Sequence, residues 1–159
     1  MILTGIEEFA AALPRSGSVA GLDLGTVTIG VAISDLRRQV ASPYGLIKRV
    51  KFTQDAAALL ELCKKREVVG IVLGLPLNMD GSRGPRVQST EAFARNLEKL
   101  TPLPITFWDE RLSTVAAERV LLAADTSRKR RDEVIDQVAA GYILQGALDR
   151  MVAGGWNVG

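Results

Sequence analysis

The stretch GLDLGTVTIGVAISD, residues 21–35, is two apolar runs hinged at Gly25 and Thr26, the pattern of two β-strands joined by a tight turn. One residue in it is wrong for a core. Asp23 stands between Leu22 and Leu24 and beside the run Ile29, Val31, Ile33, where an ionised carboxylate without a partner is costly to bury. It is either a turn residue bonding the backbone of Gly25 and Thr26 or a ligand for something charged.

Working outward, strands are predicted over 19–24 and 28–34. A turn-rich connection through Ser42 and Pro43 follows, then a strand over 44–50 that ends in Lys48, Arg49 and Lys51. Short connections make these three an antiparallel meander. Ala56, Leu59, Leu60 and Cys63 recur at helical spacing between Thr53 and about Arg66. The longest apolar run, VVGIVLGLPL at 68–77, is too short for the roughly 20 residues of a membrane helix and reads as a buried strand. PLNMDGSRGP leads into a helix from about Pro85 to Leu100, with a proline allowed in its first turn. A fifth strand is ITFWDE, 105–110, and two helices close the chain, 114–124 and about 132–151, separated by DTSRKRR. Ahead of all this, Thr4 and Glu7 at capping-box spacing predict a short docking helix within 4–13.

The expected fold is α/β: a five-stranded mixed sheet, with strands 1–3 antiparallel and strands 4 and 5 parallel, flanked by helices. The expected division is an N-terminal extension over 1–18, one domain over 19–151 and a tail over 152–159. Ligands of such a sheet bind at the C-terminal ends of its strands.

With 159 residues the chain suits one domain, and 47% hydrophobic with 24% charged residues places it among soluble globular proteins. Cys63, the lone cysteine, cannot staple the chain and reads as an apolar filler. That usage, with Glu7 and Glu8 where a secretory signal would be basic, makes a cytoplasmic setting the expectation. There is no histidine. That excludes Ser-His-Asp and Cys-His catalysis, imidazole bases and histidine-containing zinc sites. Chemistry here must run on carboxylates, Lys or Arg, hydroxyls, or a hard metal ion held by oxygen. A net charge of +2 does not by itself identify a nucleic-acid partner.

Three acids can reach one rim of the sheet. Asp23 lies near the C-terminal end of its strand, and Asp109 with Glu110 ends the fifth. On the last helix Asp136 shares a face with Asp132, Ala139, Ala140, Ile143 and Ala147. Small residues there let the helix lie close to the sheet and point Asp136 inward. Each acid has a plainer alternative: Glu110 as a solvated partner of Arg111, Asp109 as a structural acceptor, Asp136 as a helix-dipole residue like Asp132 and Glu133. Taken together, acids brought this close repel unless a cation neutralises them or they stay protonated. Oxygen ligands without histidine or thiolate point to Mg²⁺ or Mn²⁺, and such ions activate water without an imidazole base.

GLDLGTVTIGVAISD, VLGLPLNMDGSRGP, WDERLST and VIDQVAAGYIL, in this order, resemble the YqgF family, also called the RuvX-type Holliday-junction-resolvase family, of the ribonuclease-H-like superfamily. The resemblance runs from about residue 19 to residue 149. It implies a ribonuclease-H-like fold and a metal-dependent nuclease acting on structured nucleic acid, either the 5′ end of pre-16S rRNA or branched DNA. The family's acidic positions fall on Asp23, Glu110 and Asp136, as catalytic and metal-binding residues. Unlike the resolvases proper, the chain has Gly74, Leu75 and Pro76 where an acid would end the fourth strand, so Glu110 would take that role.

A nuclease must also grip phosphate. Arg128, Lys129, Arg130 and Arg131 precede Asp136 by a few residues and predict a mobile basic loop beside the metal site. Arg83 and Arg86 in the glycine-rich loop lie on the same rim, and Arg111 either orients Glu110 or touches substrate. Asn78 and Asp80 are read as turn-shaping residues. With aromatics at 5%, shape and backbone contacts rather than base stacking are expected. Two other classes compete: an actin-like ATPase, for which DLGT occurs only once, and a binding protein with a silent metal site. The chain is expected to act as a monomer or a homodimer.

Overall fold

The computed structural model describes residues 1–125 and 128–155, the side chains of 116, 122, 123, 125 and 128–134 excepted. Six strands form one sheet: β1 (Ile2–Leu3), β2 (Ser18–Leu24), β3 (Thr28–Ser34), β4 (Ala41–Lys48), β5 (Val68–Leu75) and β6 (Ile105–Asp109). Their spatial order is β1-β6-β5-β2-β3-β4. β2, β3 and β4 make the antiparallel meander, while β5 and β6 run parallel to β2. The helices are α1 (Ile6–Ala12), α2 (Phe52–Lys65), α3 (Pro85–Glu98), α4 (Val115–Asp125) and α5 (Arg128–Ala153), with a 3₁₀ turn at Glu110–Leu112.

The count of five strands is corrected to six. Ile2 and Leu3 pair parallel to Ile105 and Thr106 at the sheet edge, a pairing about a hundred residues distant that a two-residue run cannot announce. No capping box starts α1: its N-cap is Gly5, without a side-chain bond. Phe9 of α1 is fully buried in the core beneath α5. β4 begins at Ala41 rather than 44. As an edge strand it tolerates Pro43, which lies at a register shift opposite Ala32. The stretch DTSRKRR is helical from Arg128 onward, as its Arg and Lys residues favour and no Gly or Pro forbids.

Strand alternation sorts the core into two layers. Leu22, Leu24, Ile29, Val31, Ile71 and Leu73 face α2 and α3, with Leu59, Cys63, Phe93 and Leu97 packed on them. Val19, Ala32 and Val72 face the other way, toward α1 and α5, where Ile143, Leu144, Leu148 and Met151 close the layer. Burial pushes the Cys63 thiol up to about 12, so it is inert filler. No helix among the described residues is long and apolar enough to cross a membrane.

Candidate active site

Asp23 escapes the leucine layer because its neighbours in β2 point the other way. It faces α5, opposite Gly30 of β3, and is 1% exposed. The helix reaches it only because glycines leave room. A Cβ on Gly30 would collide with the backbone carbonyl of Asp136, and one on Gly25 with its carboxylate. Thr28 then donates its hydroxyl to Oδ2 of Asp136 at 2.5 Å.

Glu110 opens the 3₁₀ turn just past β6 and is 6% exposed. Its Oε2 lies 2.8 Å from where a Cβ on Gly74 would stand. The carboxylate of Glu110 therefore occupies the space above the end of β5, where no acid was found in the sequence. Asp109 turns away. It accepts bonds from the backbone and side chain of Arg111, which hold its carboxyl below the ordinary carboxylate range. Arg111 accordingly pairs with Asp109 and reaches the Met79 carbonyl, instead of orienting Glu110.

The sequence reading missed Arg119. Its Nη2 donates to Oδ1 of Asp23 and to Oε1 of Glu110, each at 2.8 Å. A signal existed: Arg119 stands four residues after Val115, a fully buried residue of α4, and so shares its inward face. Burial pulls the guanidinium down, but Asp23 and Glu110 outweigh it and leave Arg119 above ordinary arginine. Burial pushes Glu110 up; Arg119 opposes this and Asp23 adds to it. Asp136 is raised to about 6, by burial first, against the Thr28 hydrogen bond and with the Asp23 charge adding.

Even so, the cluster is half-satisfied. Oδ2 of Asp23, Oε2 of Glu110 and Nε of Arg119 are buried without a hydrogen-bond partner. Among the described residues no three acidic or thiol side chains stand close enough to cage a metal ion as they are, and Arg119 parts two of the three candidates. The unpaired oxygens are nonetheless hard anionic donors, and such donors fit a hard divalent cation.

Beside the acids lies an open cleft of about 220 Å³, lined by Gly25, Arg86, Arg119 and Asp136 among others. Arg86 donates to the Leu24 carbonyl at 3.1 Å on its wall, and Arg49 donates to the Gly25 carbonyl at 2.6 Å. Arg83 is tied to Glu91 at 2.7 Å. Asp80 accepts from the Ser82 amide and Asn78 bonds the Ser82 hydroxyl, which shapes the turn as expected. The side chains of Arg128, Lys129, Arg130 and Arg131 lie outside the described residues. A larger cleft of about 540 Å³ lies by Trp108, Leu112 and Tyr142, but none of the unpaired buried atoms belongs to its lining residues.

Residues 17–150 match the RuvX family model, described as Holliday junction resolvase. A relative from Paracoccus denitrificans, named "Putative pre-16S rRNA nuclease", is 75% identical over 151 residues, covering 95% of this chain and 96% of the relative. One of the same name from Ruegeria pomeroyi is 68% identical, covering 95% and 98%. Among solved structures, T. thermophilus RuvC in complex with Holliday junction substrate superposes with a TM-score of 0.50 at 11% identity, covering 85% of this chain and 96% of that one. At that identity the likeness speaks to fold alone, and it is the ribonuclease-H-like fold expected above.

Proposed function

Because the chain belongs to the RuvX family of Holliday junction resolvases, we propose that it is a metal-dependent nuclease of structured nucleic acid that processes the 5′ end of pre-16S rRNA. The names of the curated relatives support that substrate. One observation carries the chemistry. Asp23 and Glu110 each keep a buried oxygen with no partner, on the rim that Asp136 also reaches. Buried polar atoms left unpaired cost stability, and a hard cation is the partner that a histidine-free oxygen set favours.

Asp23, Glu110 and Asp136 would hold Mg²⁺ or Mn²⁺, whose contribution there is Lewis-acid activation of water and of the phosphate. The protein's own share is placement. Thr28 fixes Oδ2 of Asp136, and Arg86 offers a phosphate its charge from the cleft wall. Arg83, Arg111 and the run Arg128, Lys129, Arg130, Arg131 would hold flanking backbone, contacts that set register without reading sequence. Arg83 and Arg111 must first give up Glu91 and Asp109. We place the reaction in the cytoplasm and assign it to a monomer or homodimer.

Purified protein with Mn²⁺ or Mg²⁺ is expected to cut a pre-16S leader RNA faster than a four-way DNA junction. Asp23→Asn should lose cutting while its thermal unfolding stays cooperative. Faster cutting of the junction reassigns the substrate to branched DNA. Cutting that survives in Asp23→Asn removes the site.

A further inference from the structure

Arg119 stands where the proposed reaction needs a different cation. One nitrogen spans Asp23 and Glu110 at 2.8 Å each, so a single charge sits between the two most buried acids of the rim. A buried ion pair repays its desolvation only when its remaining donors and acceptors are satisfied too. Here they are not: Arg119, Asp23 and Glu110 each retain one buried atom without a partner. No other buried side-chain nitrogen or oxygen among the described residues is left so. The buried atoms that lack a protein partner therefore gather in one cluster, on both acids and on the base between them.

Resting on the metal reading above, we propose that Arg119 is a resident counter-ion that competes with the divalent ion for Asp23 and Glu110. Before the ion arrives, the guanidinium holds the two carboxylates together against their mutual repulsion. When the ion binds, Arg119 releases at least one of them. The side chain also lines the cleft shared by Arg86 and Asp136, so the released charge stays where an incoming phosphate would lie. Arg119 is thus a positioning residue for the empty site. Its removal has two opposed effects: a weaker empty fold and a tighter site for the ion.

The test is Mn²⁺ binding without nucleic acid, read from the loss of the free-ion electron paramagnetic resonance signal. Arg119→Met keeps the side chain's reach and drops its charge. It is expected to bind Mn²⁺ about fivefold tighter or more, the scale of a competitive coupling. In chelator it should unfold at a lower temperature than the parent, and it should gain more on adding Mn²⁺. Arg119→Lys, a point charge without the planar fork, should fall between. Equal or weaker binding by Arg119→Met, while the parent binds Mn²⁺ and Asp23→Asn does not, overturns the proposal and leaves the metal reading standing. Binding by neither parent nor Arg119→Met overturns both. If Arg119→Met does not fold, Arg119→Lys decides alone: tighter binding supports the proposal, and equal or weaker binding overturns it.

Discussion

Two arginine–carboxylate pairs start from adjacent residues, Asp109 and Glu110, and they are built oppositely. Asp109 pairs with Arg111 two residues on, partly exposed, with both carboxylate oxygens bonded. Glu110, buried, pairs with Arg119 nine residues on and leaves Oε2 bare. Hydrogen bonds from Arg111 hold Asp109 below the usual carboxylate range, whereas burial holds Glu110 above it. Water can complete an exposed pair, so its geometry decides little. In the buried one the protein itself supplies no partner for Oε2 of Glu110 or Nε of Arg119, and an unpaired buried polar group costs stability. Unsatisfied burial, not residue type, separates Glu110 from Asp109.

The largest expected effect tests that distinction directly. Glu110→Gln should lower cleavage by about a hundredfold to a thousandfold, the scale of losing one preorganised electrostatic group in a closed site. Asp109→Asn, one residue away, should change it by less than about threefold, since exposed pairs contribute little. Comparable losses in single-turnover assays would erase the contrast.

Next in size is the pH dependence of stability in chelator, where the two classes of acid should pull in opposite directions. Asp136, raised to about 6 when folded from an ordinary 3.8, binds its proton more tightly folded than unfolded. Stability from this group is therefore greatest at low pH and falls as pH rises from about 4 to about 6. Asp136→Asn has no such decline and should be more stable than the parent at pH 7, by about 1 kcal/mol once solvent screening of a half-exposed carboxylate is allowed for. Asp109, lowered when folded, gives stability that is present above its unfolded value and lost as pH falls. Asp109→Asn should flatten that acid limb alone. Thermal unfolding between pH 3 and pH 8 separates the two slopes, and a parallel shift of both variants would contradict them.

Much of this was legible from residues. Asp23 declared itself by breaking an apolar strand, and Asp136 by sharing a helical face with alanines that the fold buries. Gly25 and Gly30 sat in the opening stretch as turn and strand residues; only the packed helix reveals that they make room for Asp136. Arg119 was harder. Periodicity gives the face of a helix but not what that face meets, and one of its partners is 96 residues away. Of the two readings left open for Arg111, orientation of Glu110 falls to its pairing with Asp109, for a related reason. Asp109 and Glu110 leave the strand end on opposite sides, and adjacency in sequence cannot say which side the guanidinium follows. β1 lay beyond reach because two residues carry no period.

The smallest effect belongs to Arg111. Arg111→Ala removes both partners' exposed hydrogen bonds and the link to the Met79 carbonyl, all of which water replaces. The unfolding temperature should fall by no more than a few degrees, and the difference should shrink in high salt, because screening already weakens the parent's pair. The informative part is what does not change. With Glu110 held by Arg119 instead, Mn²⁺ binding should stay at the parent's value in Arg111→Ala while it tightens in Arg119→Met. If truncating Arg111 also altered Mn²⁺ affinity, the two pairs would be one network, and the separation of Asp109 from Glu110 by burial would no longer explain their roles.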